Sequence, residues 1–141
     1  MTYQSYALAA AEFNRRMNGV PYTDAPSYQM RVLMTAPARG DLSNAMDECA
    51  VSGYSLLTLP CDGTKWSAMT AGGSSALFTP SWGTAGEAID HAAGVLFDFG
   101  ITKETPEYDK WEFMQLDFSI AIDAPIVLPN SLQAGQGMPV T

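Results

Sequence analysis

The chain is expected to fold as a mainly β domain, an antiparallel, jelly-roll-like β-sandwich with a short N-terminal α-helix. Three observations predict it. From Glu48 to Thr141 short apolar segments recur, Ala50–Leu59, Thr64–Thr70, Ser74–Thr79, Glu87–Gly100, Trp111–Ile122 and Pro125–Pro129, punctuated by Gly, Pro, Asn, Asp or Ser, the pattern of short strands joined by turns. One of them, Trp111–Ile122, alternates with period two, so one face is buried and one is wet. Helical spacing is found over Thr2–Asn18.

That first segment places Tyr6, Ala9, Ala10, Phe13 and Met17 on one face, with Gly19 and Pro21 to stop the helix. The face either packs on its own domain or docks on a neighbouring subunit, and Arg15 and Arg16 are expected on the solvated side. VPYTDAPS, residues 20–27, is an extended connector. Tyr28–Thr35 reads as the first strand, with Met30, Val32 and Met34 on one face and Arg31 and Leu33 on the other. In Ala50–Leu59, Gly53 marks a bulge or a close backbone approach. Trp66 and Met69 form weak faces in the next strand, and Gly72 and Gly73 turn the chain. In Trp111–Ile122, Met114, Leu116, Phe118, Ile120 and Ile122 share the buried face, opposite Gln115, Asp117 and Ser119. The tail Asn130–Thr141 is a candidate last edge strand.

A chain of 141 residues with 47% hydrophobic and 16% charged content is one globular unit, divided here into an arm, residues 1–27, and a β domain, residues 28–141. No apolar run reaches the roughly 20 residues of a membrane helix. The start carries its positive charges after the apolar stretch, unlike a secretory signal, and is read as an intact N-terminus. Residues 1–40 have four Arg against Glu12 and Asp24, whereas residues 41–141 have three Lys against thirteen acids. An acidic body repels phosphate backbones, so neither a nucleic-acid nor a membrane partner is expected.

Catalytic chemistry is sparse. His91 is the single histidine, and its strand neighbour Asp90 points to the opposite face. Asp47 and Glu48, and the run Glu104, Glu107, Asp109 and Glu112, offer paired carboxylates, but the second group lacks the order of a calcium loop, and solvated loop acids are the simpler reading. Cys49 and Cys61 match no zinc spacing; they are either free buried thiols or a disulfide, according to their separation. Neither GDLSN nor AGGSS has phosphate-loop context. Tyr54, Trp66, Trp82, Tyr108 and Trp111 are either a sugar-stacking platform or core and interface anchors. No catalytic, metal or cofactor residue is assigned, no cofactor is expected, and the protein is not expected to be an enzyme.

The order of features resembles a family of small tailed-phage virion proteins, tail-fibre-like or serving as head decoration or cement. The resemblance rests on Ala7–Asn18 as a short helix, VPYTDAPS as a proline-bearing connector, and YQMRVLMTAP with Thr35 and Pro37. It continues through a Ser-Gly-Tyr element with Glu48, Ser52, Gly53 and Tyr54, a Trp-Gly-Thr element with Trp82, Gly83 and Thr84, and a final glycine-bearing segment LPNSLQAGQGMPV. It departs where the family has Arg after Gly-Tyr and this chain has Ser55 and Leu56, and where a Gly-Asn pair is replaced by FDFGITKETPEYDKW. It implies a virion-located structural subunit, a capsid decoration or cement protein that bridges capsid seams, with a tail-tip or fibre-base protein contacting the host surface as the alternative. Its partners would be the major capsid protein or other virion proteins and further copies of itself in a homo-oligomer. Eight methionines give an adaptable surface, and the expected partner-facing residues are Phe13, Arg15, Arg16, Met17, Met30, Arg31 and Met34.

Overall fold

The computed structural model describes residues 1–67, 70 and 77–128. They form strand β1 (Thr2–Gln4), helix α1 (Tyr6–Met17), strand β2 (Ser27–Leu33), a 3-10 turn (Ser43–Ala45), and strands β3 (Leu57–Pro60), β4 (Ser81–Thr84), β5 (Ile89–Asp98), β6 (Trp111–Ile120) and β7 (Pro125–Val127). The expected mainly β, antiparallel architecture with one short helix is what the chain adopts. Five strands in the order β1-β6-β5-β2-β3 make the large sheet, and β4 pairs with β7 in a small one.

Period-two alternation in β2, β5 and β6 gives the large sheet two apolar faces. Tyr28, Met30, Val32, Val95, Phe97, Met114 and Phe118 point to one side, where Trp82 from β4, Ile126 from β7 and Leu128 just beyond it pack on them. The two sheets therefore share a core, an arrangement compatible with a sandwich. Leu33, Leu96, Trp111 and Phe113 point to the other side, with Tyr3, Met46 and Ala93 against them. Burying an aromatic or aliphatic side chain contributes about 1.5–3 kcal/mol, and Trp82, Trp111, Phe97 and Phe113 are each almost wholly buried.

The strand read as having one buried face thus has two. Trp111, Phe113 and even Glu112 are buried at the start of β6, while Gln115, Asp117 and Ser119 are exposed near its end; β1 pairs only with the first part of the strand, where its Tyr3 ring packs on Trp111 and Phe113. Ile122 falls in the turn after β6 and is 58% exposed, so it drops out of the buried series. Residues 2–4 are not helical: they pair with Met114, Phe113 and Glu112 as an edge strand. The arm is accordingly tied into the β domain at its beginning. Ala50–Leu59 yields a strand only at Leu57–Pro60, since the backbone at Ser52–Tyr54 is engaged elsewhere. The Ser74–Thr79 strand, the Gly72–Gly73 turn and the tail edge strand fall wholly or mainly outside the described residues.

β5 and β6 contain two opposed irregularities. Ile89 pairs with Ile120, Ala92 with Phe118 and Gly94 with Gln115. Two residues of β5, Asp90 and His91, therefore face one of β6, Ser119; further on, Leu116 and Asp117 of β6 face one of β5, Ala93. The extra residue on one strand is cancelled by an extra residue on the other. His91 takes a positive φ of 53° at the first bulge, and its main-chain N–H donates to Ser119 Oγ at 3.0 Å.

Candidate interaction surface

Helix α1 is set by its ends. Ser5 is the N-cap, its hydroxyl accepting from the Leu8 N–H at 3.2 Å, one of the orphan donors of a first turn. At the other end Gly19 adopts φ 64° and the Val20 N–H reaches the Asn14 carbonyl, so the helix stops where Gly19 and Pro21 predict. A single helical residue, Leu8, is buried. With each residue turning about 100°, Tyr6, Ala10, Phe13 and Met17 form a stripe on nearly the opposite side from Leu8. Tyr6, Phe13 and Met17 are 64%, 59% and 67% exposed, so the apolar face does not pack on its own domain. Arg39 lies 4.8 Å over the Tyr6 ring; Arg16 borders the stripe, and neither Arg15 nor Arg16 pairs with a carboxylate among the described residues.

The other expected interface residues are elsewhere. Met30 is wholly buried under the small sheet, where its carbonyl accepts the Trp82 indole N–H at 3.0 Å. Met34 is half-buried against the same core. Arg31 is buried on the opposite face. Strand alternation explains the placement: β2 is the fourth strand of five and is covered on both sides, so Met30 and Arg31 are buried, while Met34, one residue past its end, is half-buried.

Arg31 instead organises a buried polar cluster. Gln29 Oε1 accepts from Arg31 Nε at 3.2 Å and Nη2 at 2.6 Å, and the Glu48 and Asp98 carboxylates lie 3.7 and 3.6 Å away. Burial pushes the Asp98 carboxyl above its ordinary range, and the nearby Ser43 hydroxyl, Arg31 and the Gly100 N–H offset this only in part. Tyr54 donates its hydroxyl to Glu48 at 2.7 Å and accepts from the Val32 N–H at 3.0 Å. Burial, then the bond to Glu48, drives its pKa far upward. This arrangement fastens the loop around Ser43–Glu48 to the sheet, with Arg31 and Asp98 buried and Gln29, Glu48 and Tyr54 half-buried around them.

The Ser-Gly-Tyr and Trp-Gly-Thr elements meet one another. Tyr54 bridges to Gly83, the Ser55 N–H donates to the Trp82 carbonyl and the Gly86 N–H to the Ser52 carbonyl. A Cβ on Gly53 would stand 2.0 Å from the Thr84 carbonyl oxygen, and one on Gly83 would stand 2.1 Å from that of Gly53. Both glycines have positive φ. The close backbone approach expected at Gly53 is real, and both motifs serve packing.

Open concave surface gathers beside β2. Tyr28, Pro60, Cys61, Asp62, Gly63, Lys65, Trp66, Phe97 and Phe99 line a pocket of about 250 Å³. Its floor is aromatic: the Trp66 indole donates to the Tyr28 hydroxyl, Trp66 meets Phe97 edge-on and Tyr28 tilts against Phe97 and Phe99. Next to it, Asp24, Ala25, Ser27, Cys61 and Phe99 line a further hollow. Burial and then the charges of Asp24 and Asp62 hold the Cys61 thiol above its usual pKa, which places both acids near that rim. Asp62 is kept ionised by the hydroxyl and N–H of Thr64. The sequence concealed this pocket because Tyr28, Trp66, Phe97 and Phe99 come from β2, β5 and two loops, each reading locally as core. A shallower groove holds Pro21–Pro26 against Lys103–Thr105 and Glu107, with Lys103 Nζ 4.4 Å over the Tyr22 ring.

Of the five aromatics considered together, Trp82 and Trp111 are wholly buried and Tyr54 belongs to the polar cluster, so they form no platform. His91 Nδ1 lies 3.0 Å from Asp117 Oδ1, but these side chains are 81% and 75% exposed, a pairing of little worth in water. Glu112 is buried in β6, and Glu107 accepts Lys103 at 2.8 Å with Lys110 at 3.5 Å, so only part of that acidic run is simply solvated. Both cysteines are free, Cys49 buried and Cys61 exposed. No group of metal-ligating side chains assembles among the described residues, and no helix there is long and apolar enough to cross a membrane. Searches of protein-family models, of curated proteins and of solved structures gave no match for the chain.

Proposed function

We propose that the protein is a structural subunit of a tailed-phage particle, a capsid decoration or cement protein that attaches to neighbouring virion subunits through helix α1. One observation carries the reading: the apolar stripe of Tyr6, Phe13 and Met17 turns away from the protein's own core, and contiguous exposed apolar surface marks interaction sites. The arrangement of helix, connector, Ser-Gly-Tyr and Trp-Gly-Thr elements on which the family resemblance rests supports the same reading. Seam-bridging subunits stabilise a shell additively, because each copy binds only the closed arrangement, and apolar burial of roughly 25 cal/mol per Å² accumulates over many copies.

The test is a DNA-release melting curve on particles with and without the protein. Particles lacking it should assemble and lose DNA at lower temperature or lower ionic strength. Unchanged curves together with failed adsorption to host cells would overturn the cement reading and favour a tail-tip role.

A further inference from the structure

We infer that the helix stripe of one copy, Phe13 and Met17 foremost, seats in the aromatic pocket of Tyr28, Trp66, Phe97 and Phe99 in a second copy, joining subunits head to tail. This rests on the reading of α1 as the assembly surface and names its partner.

Both halves of the contact lie on the same chain: the stripe is exposed, and the pocket opens between the partly buried Trp66 and Phe99 over a floor in which Tyr28 and Phe97 are buried. The stripe presents an aromatic ring and a thioether four residues apart, hence side by side on one helix face. The pocket, at about 250 Å³, has room for such a side chain, and aromatic walls suit a methionine sulfur as well as an edge-on ring. The charges agree. Arg16 flanks the stripe on the helix and Arg39 lies over its Tyr6 ring, with Arg15 on the far side of the helix, whereas Asp24 and Asp62 stand at the rim of the pocket and its neighbouring hollow. The one basic rim residue, Lys65, holds its Nζ 5.2 Å over the Phe78 ring. A basic apolar ridge therefore meets an apolar hole with an acidic edge, which favours encounter and register. Because ridge and hole are different surfaces, the contact is heterologous and generates a ring or an open chain of copies rather than a closed two-fold pair.

The experiment uses the full chain and sedimentation velocity over a concentration series. Wild type should grow in mass with concentration. Phe13→Asp combined with Met17→Asp removes the ridge, and N-benzylmaleimide on Cys61, the exposed cysteine, fills the hole. Each should weaken association by more than about tenfold, as expected of a buried anchor, with circular dichroism unchanged. Trp66→Ala serves as a second hole variant. The decisive arm mixes the ridge variant with the benzyl-labelled protein: one keeps a hole and the other a ridge, so they should form a one-to-one pair and nothing larger. Failure of the mixture to pair, association untouched by either change, or a wild type that stays monomeric overturns the head-to-tail contact. A monomeric wild type that still restores the DNA-release temperature of particles lacking it removes this contact and leaves the structural-subunit reading standing. A robust pair that changes no particle's melting curve does the reverse.

Discussion

Ser5 and Trp111, 106 residues apart, exchange hydrogen bonds in both directions: the Ser5 N–H donates to the Trp111 carbonyl at 2.9 Å, and the Trp111 N–H donates to Ser5 Oγ at 3.2 Å. The same hydroxyl caps α1 through Leu8. Ser5→Ala should therefore cost more than an ordinary cap, about 1–3 kcal/mol from the lost cap and the unsatisfied Trp111 N–H. Urea unfolding measures it, and a change below about 0.5 kcal/mol would show that the helix and β6 are not coupled through this side chain.

Trp82→Phe keeps an aromatic ring but removes the indole N–H that binds the Met30 carbonyl across the two sheets. A loss of about 2–4 kcal/mol is expected, combining lost volume with the lost buried hydrogen bond. An unchanged denaturation midpoint would mean that the small sheet is not held to the large one at this point.

Phe118→Ala should cost about 3–5 kcal/mol, since the ring is buried in the shared core and its removal leaves a cavity. Asp117→Ala, on the neighbouring exposed position, should change stability by less than about 0.5 kcal/mol. Thermal or urea unfolding of the two variants that gave equal, small effects would contradict the facing of β6.

Asp98 gives a pH signature. Its folded-state pKa is raised, chiefly by burial, above the ordinary value of about 4, so the folded protein holds this proton more tightly than the unfolded chain. The charged carboxylate is a cost near neutrality, relieved as pH falls through the raised value toward about 4. Asp98→Asn should be more stable than wild type at pH 7, with the gain shrinking on acidification. A difference independent of pH between 7 and 4 would refute that account.

The mainly β class, the helix stop at Gly19, the Met114 and Phe118 facing and the tight approach at Gly53 were legible because each follows from local residue type. What was hidden depended on distant partners. Thr2–Gln4 has the composition of a helix start and became a strand because the edge of β6 was open to it. Met30 and Arg31 looked like interface residues because alternation cannot tell a strand with one covered face from a strand with two. Of the expected interface only Phe13, Arg15, Arg16 and Met17 lie on one exposed element, and they share the helix that announced itself in the sequence. The aromatic pocket joins four rings between Tyr28 and Phe99, and no short window contains them.

The opposed bulges of β5 and β6 bear on how such a chain can lengthen or shorten over time. Deleting one residue at Asp90 or His91 alone would leave the second bulge uncompensated and set one strand a step out of phase with the other. A matching deletion at Leu116 or Asp117 would restore phase and straighten the hairpin. Gaps in this hairpin should therefore appear in pairs, one in each strand, and a homologue missing both would keep its core while losing the site at which His91 and Asp117 meet.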